Sequence, residues 1–339
     1  MINSRTRLRG KVAIRQKTRK TSRQKFPLLR QRLYATLEKR IANTPLYEIS
    51  KIKVPNGCRV FVKEEYHNPS GSHYDRVYLH LLKALEAEGR IVPGKTLLIE
   101  TSSGNAGISF AYLARLLGYS AEVIMPVNLP KARIDGVKKE GAKVRLTPAK
   151  HYVGGAAEAL KRVLAIENKQ RESQGLPKYW SPNHSQDKRS TLSLEPIASE
   201  VKKQLGKTKL DFVVLGVGNG ATILGPGRRL KELFPGLKVI AWEPFSSAKM
   251  YSIKHSDYRR LFGLSPGSKL SHTVFGTGVP NVQFPLLEEA ARTVVDEIKL
   301  VAQDKELNAQ KRTLADSKMR NRYFSNARNL VKWEPVLDQ

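Results

Sequence analysis

The sequence predicts an α/β protein with mostly parallel sheets covered by helices on both faces. Three observations predict this class. Short apolar runs alternate with longer runs of helical spacing, the pattern of parallel strands joined by crossover helices. Glycine and proline punctuate the boundaries, as at Gly89 and Pro93-Gly94. The 339 residues suffice for two domains at roughly 100–200 residues each.

Taken in order, residues 1–32 read as a basic, disordered arm. Arg5, Arg7, Arg9, Lys11, Arg15, Lys17, Arg19, Lys20, Arg23 and Lys25 are separated by Ser and Thr, and apolar residues are too sparse to offset the self-repulsion. A solubilising tail, a nucleic-acid contact and an organellar transit peptide all fit that composition. Residues 59–63 alternate toward a strand. Residues 72–88 have helical spacing, with Val77, Leu81, Leu82 and Leu85 on one side. A strand at 96–99, a helix at 106–117 and a strand at 121–125 follow. Pro130 opens a helix, 143–146 is a strand and 156–166 a helix. Further on come a strand at 212–215, a helix at 223–233 and a strand at 239–242. From Leu300 the chain reads as a charged helical tail without glycine.

Composition narrows the function. No stretch approaches the ~18 apolar residues of a membrane span, and the N-terminus lacks the apolar middle of a secretory signal. Cys58 is the only cysteine, which excludes an internal disulfide and a thiolate-rich metal site. It reads as a small buried hydrophobe. A cytoplasmic location is expected, with organelle import through the basic arm as the alternative. His67, His73 and His80 lack zinc-site spacing, so no metal is expected. Sixty Lys and Arg against thirty Asp and Glu give +30. Residues 1–40 carry +13 of this and the remainder +17. A body this basic attracts polyanions in a salt-dependent way. A compositional bias or adaptation to high salt accounts for the charge without any such partner.

Ligands of open α/β sheets bind beyond the carboxyl ends of the strands, and three loops stand there. Residues 68–76 carry Asn-Pro and Ser-Gly turn chemistry, with Ser70 or Ser72 able to cap the next helix and Asp75 suited to its first turn. Residues 100–107 place Ser102, Ser103, Gly104 and Asn105 at a helix start, where backbone N–H groups favour an anion. A plain capping turn fits these residues as well. Residues 216–225 hold Gly218, Asn219, Gly220, Ala221 and Thr222, a glycine-rich turn that admits a phosphate. It is neither a dinucleotide fingerprint nor a P-loop, because the third glycine is out of register and no Lys-Ser/Thr pair follows.

Together these loops resemble the fold-type-II pyridoxal-phosphate family of cysteine synthase, threonine synthase and the tryptophan synthase β chain. The resemblance starts at Ile41-Ala42-Asn43-Thr44-Pro45-Leu46 and spans about residues 41–298, with weaker echoes at Asn183, Glu243-Pro244 and Phe275-Gly276-Thr277-Gly278. It implies two three-layer α/β/α domains with a cofactor cleft between them. Residues 33–80 and 190–298 would form the larger, cofactor-binding domain, 81–189 the smaller, carboxylate-binding one, and 299–339 the tail. It implies that Gly218, Asn219, Gly220, Ala221 and Thr222 cradle the cofactor phosphate. Asn105 would face the ring 3′-oxygen, and Ser102, Ser103 and Gly104 would receive a substrate carboxylate. It also implies a homodimer acting on a small amino acid.

Two departures qualify these expectations. The family's first-loop motif has a lysine that forms the Schiff base and moves the α-proton, and here that position is Tyr74. A phenol cannot form an imine, and with a reference pKa of ~10 it is a poor base at pH 7. Neighbouring His73 could serve as a base or simply start the helix. Lys63 matches a lysine the family commonly has, so it is not a compensating change. The family's C-terminal glycine/serine segment is also missing after Ile298. The sequence therefore predicts a cysteine synthase-like pyridoxal-phosphate-fold protein of amino-acid metabolism, catalytically impaired or divergent. An active β-replacement or elimination enzyme with a rearranged site and an RNA- or DNA-binding protein on a retired enzyme fold are the alternatives.

Overall fold

Helix α2 (Tyr74–Ala87) is apolar on two sides at once. Val77 and Leu81, one turn apart, enter one hydrophobic core, while Tyr78, Leu79, Leu82 and Leu85 enter another. Each leucine so buried contributes roughly 1.5–3 kcal/mol, so α2 joins two cores rather than serving one. A domain boundary at residue 80 falls inside this shared helix.

The computed structural model describes residues 27–49, 57–148, 152–244, 248–255 and 284–301. The chain begins with α1 (Leu28–Arg40), an antiparallel pair β1 (Leu46–Glu48) and β2 (Phe61–Lys63), and α2. The next elements are β3 (Leu97–Thr101), α3 (Asn105–Leu116), β4 (Ser120–Pro126), α4 (Lys131–Lys139), β5 (Lys143–Thr147) and α5 (Tyr152–Arg162). A π-helical turn (Val163–Glu167) leads into α6 (Asn168–Ser173) and β6 (Tyr179–Trp180). The second half holds α7 (Arg189–Leu194), α8 (Pro196–Leu205), β7 (Phe212–Gly216), α9 (Arg228–Leu233), β8 (Lys238–Pro244), α10 (Lys249–Lys254), α11 (Pro285–Thr293) and β9 (Glu297–Val301).

Two parallel sheets result, in the orders β5-β4-β3-β6 and β7-β8-β9. Strand β4 shows why the first is covered on both faces. Val123 and Met125 point into the core shared with α2 and α3, and Ile124 between them points to Ala156 and Leu160 of α5. In the second sheet Val239 and Ala241 face α8, α9 and α11. Phe212 and Val214 on the opposite face of β7 are exposed. Among the described residues no helix is long and apolar enough to cross a membrane.

The structure corrects three expectations. Leu300 lies in β9, paired in parallel register with β8, not in a helix; Ile298 and Leu300 alternate with charged Glu297 and Lys299, which is strand spacing. Residues 302–339 lie outside the described ones, as does the Phe275–Gly278 echo. Cys58 is exposed rather than buried, because it sits on the approach to β2. Helix α1 starts at Leu28, inside the stretch assigned to the arm. There Arg30 donates to Glu86 and to the carbonyl of Leu117 (2.9 Å), and Tyr34 and Leu37 are buried.

A buried ionic cluster locks β2, α2 and α8. Arg76 Nε donates to Glu65 (2.8 Å) and its Nη1 to Glu200 (2.6 Å), and Lys63 Nζ donates to Glu200 (2.7 Å). Burial alone would raise Glu200, but hydrogen bonds from Arg76 and Lys63 hold it at about 2. At the end of β8, Glu243 is fully buried and accepts the N–H groups of Met250 (3.0 Å) and Tyr251 (2.6 Å), fixing α10.

Burial pushes Glu243 up to about 7 despite those N–H groups. The folded protein therefore retains a proton that the unfolded chain, titrating near 4.5, has released. That contribution is complete at acid pH and is lost as pH rises through 7. Glu243→Gln removes the titration. Between pH 5 and 8 the variant should gain about 1–3 kcal/mol relative to wild type in denaturant melts. A constant difference across that range would contradict the assignment.

Candidate functional site

The carboxyl ends of β3 and β7 each open into a loop that starts a helix, and α2 delivers the third loop. In the first, the Ser102 hydroxyl is already committed. Its Oγ accepts the N–H groups of Gly104 (3.0 Å) and Gly107 (2.7 Å), and it donates to the Gly104 carbonyl. A Cβ on Gly107 would stand 2.9 Å from that of Ser102, so this turn needs glycine there. The N–H groups of Ser103, Asn105 and Ala106 have no acceptor among the described residues, and Asn105 is exposed. Arg133, reaching over from α4, donates to the Ser103 carbonyl (2.8 Å) and lies against Gly104. Free N–H groups at a helix start beside a guanidinium suit a carboxylate.

The loop after β7 is held by an Asx turn: Asn219 Oδ1 accepts the N–H of Ala221 (3.0 Å). Gly220 has φ +97° and packs against α11, where a Cβ would stand 2.6 Å from backbone atoms of Leu286 and Leu287. The N–H groups of Gly218, Asn219, Gly220 and Thr222 have no acceptor among the described residues. They precede a π-helical turn (Ile223–Gly227) that accommodates Pro226. This donor set fits a phosphate group.

The third loop satisfies its own polar groups. The Ser70 N–H donates to Asp75 (2.8 Å), its hydroxyl bonds Asp75 and lies 2.7 Å from Ser109 Oγ, and Ser72 Oγ accepts the N–H of Tyr74 (3.2 Å). Tyr74 is half-buried and packs against both cores. Burial raises its pKa, so it is a neutral phenol at pH 7. The His73 ring lies 4.3 Å from that of Tyr74. Burial pushes His73 down to about 4, leaving it neutral and weakly basic.

One residue that the sequence reading passed over stands between all three loops. His184 is buried. Its Nδ1 lies 2.8 Å from the Tyr78 hydroxyl and 3.3 Å from Glu100 Oε2. Its N–H donates to the same Glu100 oxygen (3.2 Å), and its carbonyl accepts Ser190 Oγ (2.7 Å) and Asn219 Nδ2 (3.4 Å). Tyr74 meets its ring edge-on at 5.5 Å. One signal pointed to its partner: Glu100 is an acid closing an apolar strand. No cluster of potential metal ligands exists among the described residues.

Comparison with known proteins agrees with this architecture. The family described as pyridoxal-phosphate dependent enzyme matches residues 37–320. A probable cysteine synthase of Bacillus subtilis is 34% identical over 227 residues, 67% of this chain and 70% of that one. Cysteine synthase of Staphylococcus aureus is 32% identical over 208 residues, 61% of this chain, and the match spans 64% of that relative's length. The crystal structure of a hydrogen sulfide-producing enzyme from Fusobacterium nucleatum superposes with a TM-score of 0.65 at 26% identity, covering 83% of this chain and 85% of that one.

Gly220→Ala should cost about 2–4 kcal/mol in thermal or denaturant melts, since it adds both backbone strain and a collision with α11 backbone. A change under about 0.5 kcal/mol would mean that the loop is not held as described.

Proposed function

We propose that this chain, which belongs to the pyridoxal-phosphate-dependent enzyme family, is a cysteine synthase-like member that holds its cofactor without a covalent bond at residue 74 and is impaired or altered in turnover. The observation that carries this reading is Tyr74, a neutral phenol wedged between the two cores at the head of α2, at the position where the family motif has lysine. The residues fit the phosphate end of pyridoxal phosphate and an amino-acid carboxylate. They offer no amine at position 74.

When bound, pyridoxal phosphate supplies an electron-withdrawing ring and an aldehyde that reacts with amines. The N–H groups of Gly218, Asn219, Gly220 and Thr222, with the Thr222 hydroxyl, would hold its phosphate. Ala221 lets the helix start close to it, and Asn105 would face the ring. The N–H groups of Ser103, Asn105 and Ala106 would bind the amino-acid carboxylate, with Gly104 giving access and Arg133 adding charge. The Ser102 hydroxyl shapes that turn rather than reaching the ligand. Lys63 is no substitute amine, since its Nζ is held by Glu200 (2.7 Å), the Thr44 carbonyl (2.5 Å) and Gln204 (3.1 Å). The working unit in this reading is a homodimer.

Added pyridoxal phosphate followed by borohydride should leave the wild-type intact mass unchanged, while Tyr74→Lys should gain one reduced cofactor. Turnover of an activated serine by the wild type, or a reduced adduct on a native lysine, would instead support an active enzyme with a rearranged site.

A second reading, polyanion binding, rests on the charge: residues 41–339 carry +17 without the arm. RNA affinity should fall at least tenfold between 50 and 200 mM salt, on the order expected for several phosphate contacts. Absence of binding at low salt removes this reading.

A further inference from the structure

We propose that His184 is the proton-accepting group of the cleft, oriented by Glu100 and Tyr78, and that its Nε2 takes the proton an amino-acid ligand's ammonium loses before its nitrogen becomes a nucleophile. The ligand class rests on the function proposed above. The assignment of the residue rests on geometry alone.

His184 is placed where such a group must be. Its carbonyl is tied to Asn219 of the phosphate-type loop. Its N–H is tied to Glu100, the residue one step before Thr101 at the mouth of the carboxylate-type loop. A ligand spanning the two loops therefore passes this backbone.

Its two ring nitrogens are unequal. Nδ1 faces the Glu100 carboxylate (3.3 Å) and the Tyr78 hydroxyl (2.8 Å), which favours the tautomer with hydrogen on Nδ1. Nε2 then carries the lone pair. It has no hydrogen-bond partner among the described residues, and the side chain keeps 10% exposure. Buried carboxylate, imidazole and a free outer nitrogen are the elements of a general base backed by an acid.

The charges support the step. Glu100 is 1% exposed and has no Lys or Arg partner among the described residues, so an imidazolium at His184 is the charge that would offset it. The other titratable groups facing His184 are Tyr74, Tyr78 and His73. Both phenols have raised pKa values and His73 a lowered one, so all three are neutral at pH 7. In the step, an N–H bond of the ammonium breaks and an Nε2–H bond forms. The electron pair stays on the ligand nitrogen, and nothing is oxidised or reduced.

The test uses the full chain labelled with 15N-histidine, alone and with L-serine and pyridoxal phosphate, alongside the rate at which L-serine changes the cofactor absorbance from pH 6 to 9. The Nδ1–H tautomer and an Nε2 resonance that moves on adding L-serine are expected. His184→Gln should slow the absorbance change about a hundredfold at pH 7 and remove its ionisation limb. Glu100→Gln, a positioning change, should weaken the limb without abolishing it. An Nε2–H tautomer, an unmoved resonance, or a wild-type pH profile in His184→Gln would overturn the proposal. If thermal shift shows no pyridoxal phosphate binding, the function proposed above fails, and the response of His184 to L-serine alone decides this inference. Should His184→Gln not fold, the wild-type tautomer and the pH limb of Tyr78→Phe decide it.

Discussion

Val77 and Leu81 bury one side of α2 in the core that also holds β7 and β8 residues, while Tyr78, Leu82 and Leu85 bury the other in the core of the four-stranded sheet, and the helix itself packs against α7 and α3. The head of this helix therefore cannot shift relative to either core without opening a cavity, and cavities in a close-packed core are costly. Tyr74 stands at that head and Tyr78 one turn on. The position of the phenol and the partner of His184 Nδ1 are thus set by the same packing that joins the two halves.

Polar chemistry reinforces that constraint. Arg76, in the first turn of α2, is paired with Glu65 and Glu200. Removing Arg76 would leave the Glu65 carboxylate without a cationic partner among the described residues, a loss of about 3–5 kcal/mol. Lys63 is consumed by the same cluster. The consequence for function is direct: the amine nearest in sequence to the loop of residues 68–76 is occupied in holding the scaffold. Around the three loops stand neutral phenols, a neutral imidazole at His73, and the Glu100–His184 pair.

Much of this was legible in the sequence because it is local. Strand and helix periods, the glycines of residues 216–225 and the hydroxyl-rich turn at 100–107 are written within a few residues, and the structure puts those turns at strand ends as their patterns require. What was not legible is contact across the chain. Tyr78 and Glu100 lie 106 and 84 residues from His184, and no local pattern announces that they meet. Leu28 and Leu29 remain exposed, so the start of α1 shows no apolar stripe; Arg30 anchors it to Glu86 through a bond 56 residues long. Strand β9 was masked by its charges, since Ile298, Leu300 and Val301 share five residues with Glu297 and Lys299 and run on into a charged sequel. Cys58 was misjudged because a residue type's average burial says nothing about its place on a loop.

The central claim is that a phosphate cradle persists where covalent attachment at residue 74 does not. Equilibrium dialysis of pyridoxal phosphate against pyridoxal, with intact mass recorded after borohydride, tests it most directly. Saturable binding that dialyses away, prefers the phosphorylated form and leaves the protein mass unchanged is expected. Equal affinity for both forms, or a cofactor that borohydride fixes to the chain, would contradict it.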